Sequence, residues 1–154
     1  MISRVLRFVR LPLVLLLIWA ALRLFVGLRG VPYAPRGNAM FSVVGLTIIS
    51  CLYFGAMSRR VGGFNWVGTI LVGLFIGLWA QILVILATIL SYVSGRETYF
   101  THWDALNLPE GAHATLAQAM TIRAGGLVAN IIISVIAALL GRAIFSALAP
   151  KCND

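Results

Sequence analysis

Apolar positions along this chain gather into four long runs, and arginines stand at nearly every boundary between them. The runs cover residues 11–28, 39–57, 64–93 and 124–141. A run of about 18 or more apolar residues with few charges is long enough to cross the ~30 Å hydrocarbon core of a bilayer as a helix. The pattern predicts an all-α integral membrane protein, with four transmembrane helices in an antiparallel bundle. The connections are short, so residues 1–154 read as a single transmembrane domain.

The runs are not alike. Ahead of the first, Arg4, Arg7 and Arg10 recur every three residues with Val5, Phe8 and Val9 between them, which predicts a helical lead-in at the membrane interface. A basic lead followed by an apolar stretch also has the outline of a signal peptide. Arg23 and Arg29, however, stand where cleavage would occur, so a retained signal-anchor helix is expected. Arg23 interrupts run one but is close enough to Arg29 to snorkel toward headgroups. Two glycines and two prolines over 30–37 predict a turn. A short basic turn containing Arg59 and Arg60 precedes run three. That run has 30 residues and would be ~45 Å long as a helix, so it must tilt, kink or protrude.

Composition strengthens the membrane reading. The chain is 61% hydrophobic and 10% charged, against about 25% charged in a typical soluble domain. The net charge of +8 would suit nucleic acid, but the basic residues sit at run ends, not in a patch, and the aromatics do not interleave with them. Nucleic-acid binding is therefore not expected. With the start of the chain on the inner side, the inner set is Arg4, Arg7, Arg10, Arg59, Arg60, Arg142 and Lys151. The outer set is Arg23, Arg29, Arg36, Arg96 and Arg123. Seven against five favours both chain ends inside, with residues 94–123 extracytoplasmic. Eleven arginines to one lysine point to a GC-rich bacterial genome, and so to a bacterial inner membrane.

Residues 94–123 form the most polar stretch. His102 and Asp104 flank Trp103, while Glu110 and His113 are three apart and would share a helix face. Imidazole and carboxylate together can hold a divalent metal, so His102, Asp104, Glu110 and His113 are a candidate metal site. The competing reading is a solvated loop, which collects polar residues simply because it is wet. Two histidines could also ligate haem, although C-x-x-C-H is missing. No cofactor is predicted outright; metal or haem is the alternative. Tyr99, Trp103 and Leu106 lie at i, i+4 and i+7, which predicts a short interfacial helix between the third and fourth spans. Trp66, Tyr99 and Trp103 are the expected interfacial anchors.

Inside the runs the polar residues are few: Thr47 and Ser50 in the second, Gln81 in the third, Asn130 and Ser134 in the fourth. Hydrocarbon offers them no partner, so they should face other helices, either as packing contacts or as a pathway. No Asp or Glu lies inside a run, which counts against a proton-coupled carrier. Gly73-x-x-x-Gly77 and Ala137-x-x-x-Gly141 have the spacing that lets helix backbones approach closely. The chain contains no G-x-S-x-G, H-E-x-x-H or P-loop motif.

Three function classes follow. The first is a structural or accessory subunit of a larger membrane complex, in contact with the bilayer and with other membrane subunits or further copies of itself. The second is a small-solute or lipid transporter or channel. The third is an extracytoplasmic metal- or haem-dependent redox protein. The first accounts best for small-residue faces combined with so little catalytic chemistry.

Overall fold

A computed structural model describes residues 1–31 and 42–148, and it is all-helical, with no strand among them. The five helices are α1 (Ile2–Phe8), α2 (Arg10–Leu28), α3 (Val43–Met57), α4 (Trp66–Ser94) and α5 (Leu116–Leu148). Of these, α2, α4 and α5 are long and apolar enough to cross a membrane. With 15 residues, α3 is shorter; at 1.5 Å per residue it reaches only ~22 Å. The expected turn at 32–37, the start of the second run at 39–41, Arg36 and Lys151 lie outside the described residues.

Local chemistry sets the boundaries. Pro12 lacks an N–H and cannot donate to the Phe8 carbonyl, so the chain breaks step at Val9 and α2 begins with proline in its first turn. The lead-in helix α1 also packs inward. Val5 and Val9 are fully buried, and the Phe8 ring meets Phe54 and Phe64 edge-on, each at 5.3 Å between centroids. Arg4 Nη2 donates to the Gly62 carbonyl at 3.3 Å, so α1 closes against the turn between α3 and α4. Its apolar side finds protein there, which serves it as well as lipid would.

Ser42 Oγ caps α3 by accepting from Gly45 N, and Asn65 Oδ1 caps α4 by accepting from Gly68 N at 2.9 Å. Gly95 ends α4 at φ 65°, in the left-handed region that favours glycine. Helix α5 begins ahead of the fourth apolar run, which it contains. Thr115 N donates to Gln118 Oε1 at 2.9 Å, and Gln118 N donates back to Thr115 Oγ1 at 3.3 Å. This reciprocal Thr-x-x-Gln cap satisfies two exposed amides and starts the helix at Leu116. Between α4 and α5, where a short interfacial helix was expected, the chain forms a single 3-10 turn, Asp104–Leu106, that buries Leu106.

Helix α5 packs along both α3 and α4, and α2 packs along α4. The α4–α5 pair is antiparallel. Gln81 meets Arg123, Gly77 meets Asn130, Gly73 meets Ser134, and Thr69 meets Arg142. The backbones come very close. A Cβ added to Gly73 would lie 2.7 Å from the Ser134 carbonyl oxygen, and one on Gly77 would lie 2.7 Å from Ser134 Cβ. On the other side of α5, a Cβ on Gly55 would overlap the Ala138 carbonyl, and one on Gly141 would overlap the Leu52 carbonyl. Ala137 and Ala138 are buried in the same seam.

Substituting Gly55→Leu is expected to force α3 and α5 apart and cost about 1–3 kcal/mol or more. Gly125→Leu, at a position with nothing within 4 Å of an added Cβ, serves as the matched control. Thermal unfolding in detergent checks this: the Gly55 variant should melt well below wild type and the Gly125 variant close to it. Equal melting of both would remove the close-approach argument.

Candidate functional site around the segment between α4 and α5

Beyond Gly95 the chain folds back against the helices. Thr98 is the centre of this fold. Its Oγ1 hydroxyl shares a 2.6 Å hydrogen bond with Ser91 Oγ and accepts from Phe100 N at 3.1 Å. Its carbonyl accepts from the amides of Thr101 and His102, and its own amide donates to Thr101 Oγ1 at 3.0 Å. Space for it comes from α2, where a Cβ on Gly27 would come within 2.8 Å of Thr98 Cβ. Arg96 Nη1 donates to the Leu28 carbonyl at 3.1 Å, closing the segment over the end of α2. Tyr92 Oη donates to the Ala114 carbonyl at 2.6 Å, tying the approach to α5 back to α4.

Phe100 then enters the protein and is wholly buried. Its carbonyl accepts from Arg123 Nη2 at 2.9 Å, while the Arg123 carbonyl accepts from Gln81 Nε2 at 2.9 Å. The Arg23 guanidinium lies 3.4 Å from the centroid of the Tyr99 ring, which itself stands edge-on to Phe100 at 5.5 Å. Two arginines from α2 and α5 thus converge on a Tyr-Phe pair. Arg123 Nε is buried with no hydrogen-bond partner among the described residues. A guanidinium over an aromatic face gains roughly 0.5–2 kcal/mol, more where water is excluded. Alongside, Ser91, Tyr92, Arg96, Glu97, Thr101 and His113 border an open cavity of about 290 Å³.

The four candidate metal ligands are not gathered. His102 is half-buried with its ring beside Trp103 at 5.1 Å, and its Nδ1 accepts from Asp104 N at 3.3 Å. Asp104 opens the 3-10 turn, whereas Glu110 and His113 are exposed. Among the described residues, no three His, Cys, Asp or Glu side chains form a group able to hold a metal.

The residues singled out inside the spans are buried or half-buried. Gln81 and Asn130 bond to the facing helix, Asn130 Nδ2 donating to the Gly77 carbonyl at 3.4 Å. Ser134 is buried against Gly73 and Gly77; Thr47 Oγ1 donates to the Val43 carbonyl at 2.7 Å, and Ser50 is buried. Of the three aromatic anchors, Trp66 is exposed beside Arg142, Trp103 is half-buried, and Tyr99 lies under Arg23.

Sequence reasoning missed four features. Arg142, read as a fence, is buried: its Nη1 donates to the Phe64 carbonyl at 2.9 Å and to Thr69 Oγ1 at 2.7 Å, and its guanidinium lies 4.5 Å from the Trp66 ring centroid. Trp79 Nε1 donates to the Leu13 carbonyl at 2.9 Å, joining α4 to α2. Thr98 gave no signal, because its partners are brought together only by the fold. The cap at Thr115 and Gln118 was readable from its spacing alone.

Compared with known protein families, curated proteins and solved structures, the chain matches none.

Chemically, this end of the protein presents arginines, hydroxyls and backbone carbonyls that mostly satisfy one another, which holds the 98–106 segment in place. Arg123→Met removes the bond to the Phe100 carbonyl; a bond to a charged group is worth about 1.5–3 kcal/mol. Hydrogen exchange of the backbone amides in 98–106 should speed up at least about tenfold. Gln81→Leu, which removes a contact worth on the order of 0.6 kcal/mol, should change it little. Unchanged exchange in the Arg123 variant would show that the segment is held by other contacts.

Proposed function

We propose that this chain is a structural or accessory subunit of a larger membrane complex. The observation that supports this most is where the intramembrane polar groups are spent. Gln81, Asn130 and Arg142 each bond to the facing helix, and Thr47, Thr88 and Ser91 each donate to a carbonyl four residues back. The first three hold facing helices together and the three hydroxyls are satisfied within their own helices, so side chains used this way do not line a path for a solute. Meanwhile few residues of α2 and α5 are buried within the chain, and many of their apolar side chains face outward, toward lipid or neighbouring subunits.

On this reading α3 completes a four-span antiparallel bundle, deepened at the short helix by neighbouring protein or a locally thinned bilayer. The basic residues of α1 and of the turn after α3 set both chain ends inside, in a bacterial inner membrane. The 98–106 segment then faces outside as a docking surface.

Native mass spectrometry after extraction in mild detergent tests the proposal. The expected result is a particle heavier than the 16.7 kDa chain, with partner subunits or further copies in fixed ratio. A stable monomer with nothing bound in fixed ratio overturns it. Solute flux in liposomes containing this chain alone, lost in Gln81→Ala or Asn130→Ala, would instead establish a transporter. A metal or haem lost in the His102→Ala, His113→Ala double variant would establish a redox protein.

A further inference from the structure

The cavity at the α4–α5 connection is braced by bonds that leave its charged side chains unspent. On one side Tyr92 Oη pins the Ala114 carbonyl at 2.6 Å, which fixes the backbone beside His113. On the other, Thr98 and Ser91 share their 2.6 Å hydroxyl bond, which fixes the backbone beside Glu97. Arg96 Nη1 donates to the Leu28 carbonyl at 3.1 Å, steadying a guanidinium whose Nη2 and Nε are left over. Arg96, Glu97 and His113 all border the cavity, whose volume is about 290 Å³. All three are exposed, so a solute or a headgroup can reach them.

These three side chains are the exceptions at an end of the protein where polar groups otherwise satisfy one another. Thr98, Thr101, Thr115 and Gln118 each have partners. Among the described residues, Glu97 and His113 make no side-chain hydrogen bond or ion pair, and Arg96 pairs with no acid. The rest of the chain cannot supply that acid. Residues 32–41 contain none, and Asp154 is six residues past Leu148. Six residues reach at most about 22 Å, whereas α5, with 33 residues, puts Leu148 about 50 Å from this end. The cavity therefore holds a cation and an anion on braced backbone, neither of them neutralised by contact with the other.

We propose that this cavity binds a phosphoethanolamine group, with the phosphate on Arg96 and His113 and the primary ammonium on Glu97. Nε and Nη2 lie along one side of a guanidinium and grip two phosphate oxygens at once, and an imidazole N–H adds a third donor. A carboxylate accepts from an ammonium. A quaternary ammonium has no N–H to give and is recognised by aromatic faces instead; here the group placed to meet the cation is a carboxylate. A plain anion would leave Glu97 unmet, and a plain cation would leave Arg96 unmet. Position favours the same ligand. Helix α4 has 29 residues and is apolar enough to cross a membrane; its length of about 43 Å matches the hydrocarbon core plus headgroups. The cavity begins at the last turn of α4, at headgroup level. The group can arrive as the head of phosphatidylethanolamine or as the free solute. The site does not depend on the subunit reading: a monomer would carry it equally.

Native mass spectrometry of the full chain in an uncharged detergent tests this. The probes are phosphatidylethanolamine, phosphatidylcholine and phosphatidylglycerol with the same acyl chains, and soluble phosphoethanolamine. Phosphatidylethanolamine should be retained well above the other two lipids. Glu97→Gln should weaken its retention about tenfold and remove the preference over phosphatidylglycerol, and His113→Ala should weaken it about threefold. Arg96 also braces the end of α2, so Glu97→Gln, whose side chain holds nothing else in place, is the decisive variant. Glu110→Gln changes an exposed acid of the same connection that does not border the cavity, and should leave retention as it is. Free phosphoethanolamine bound with the same dependence on Glu97 supports the site and makes a solute its ligand; lipid bound alone with that dependence makes the headgroup its ligand. Equal retention of the three lipids overturns the proposal, as does wild-type retention in Glu97→Gln. An equal loss in Glu97→Gln and Glu110→Gln would reveal a general charge effect and overturns it too.

Discussion

The approach of α5 to two helices at once is the constraint on which the rest of the structure depends. In water, burying apolar surface would press helices together, but lipid tails are as apolar as the side chains, so in a membrane that force largely vanishes. Association must come from dispersion at short range, and short range requires small residues. Here α5 uses both of its inner sides. Gly73 and Gly77 of α4 admit its backbone at Ser134 and Val135, while Gly55 and Gly141 bring it against α3 at Ala138 and Leu52. Neither contact tolerates a larger side chain without moving the other, because both act on one rigid helix.

The polar contacts follow from that fixed distance. Gln81 and Asn130 have short side chains, and each reaches a backbone carbonyl on the facing helix only because the glycines have set the spacing. Arg142 is the sharpest case. A buried guanidinium in an apolar helix is costly unless its charge and its donors are met. It meets the Phe64 carbonyl, the Thr69 hydroxyl and the face of Trp66, and Thr69 in turn shares a 2.8 Å hydrogen bond with Ser58. That chain of contacts joins the end of α3, the start of α4 and the last turns of α5. Arg123 does comparable work at the opposite end, anchoring Phe100 through its carbonyl.

Much of this was legible in the residues. Runs of apolar positions located α2, α4 and most of α5, and the Gly73–Gly77 and Ala137–Gly141 spacings named the seam that α5 occupies. Those signals are local, carried by length and periodicity. What was not legible is what depends on returning chain. The stripe Tyr99, Trp103, Leu106 fits a helix lying flat, but Thr98 turns the backbone through its own hydroxyl and carbonyl, and helical spacing then loses its meaning. The four residues read as metal ligands suffer the same fate: Glu110 and His113 share a face only on a helix, and the helix does not start until Leu116. Arg142 misled for the opposite reason. Its position at the end of a run matches a snorkelling arginine, and only the packing of α4 against α5 shows that its side chain turns inward.

The two ends of the helices consequently carry different kinds of charge. At the α4–α5 connection, arginines occur with all three described acids, and guanidinium groups rest on a tyrosine or on backbone carbonyls. Charge there organises the chain itself. At the α3–α4 turn, Arg142 and Arg4 are held by backbone and hydroxyl oxygens, and the Arg60 guanidinium lies 5.2 Å from the centroid of the Phe145 ring. Backbone carbonyls can satisfy the donors of an arginine, but they do not neutralise it. The same seam that brings α3 and α5 together leaves a groove along its outer edge, so the surface that holds the fold and the surface facing its solvent are two sides of one contact.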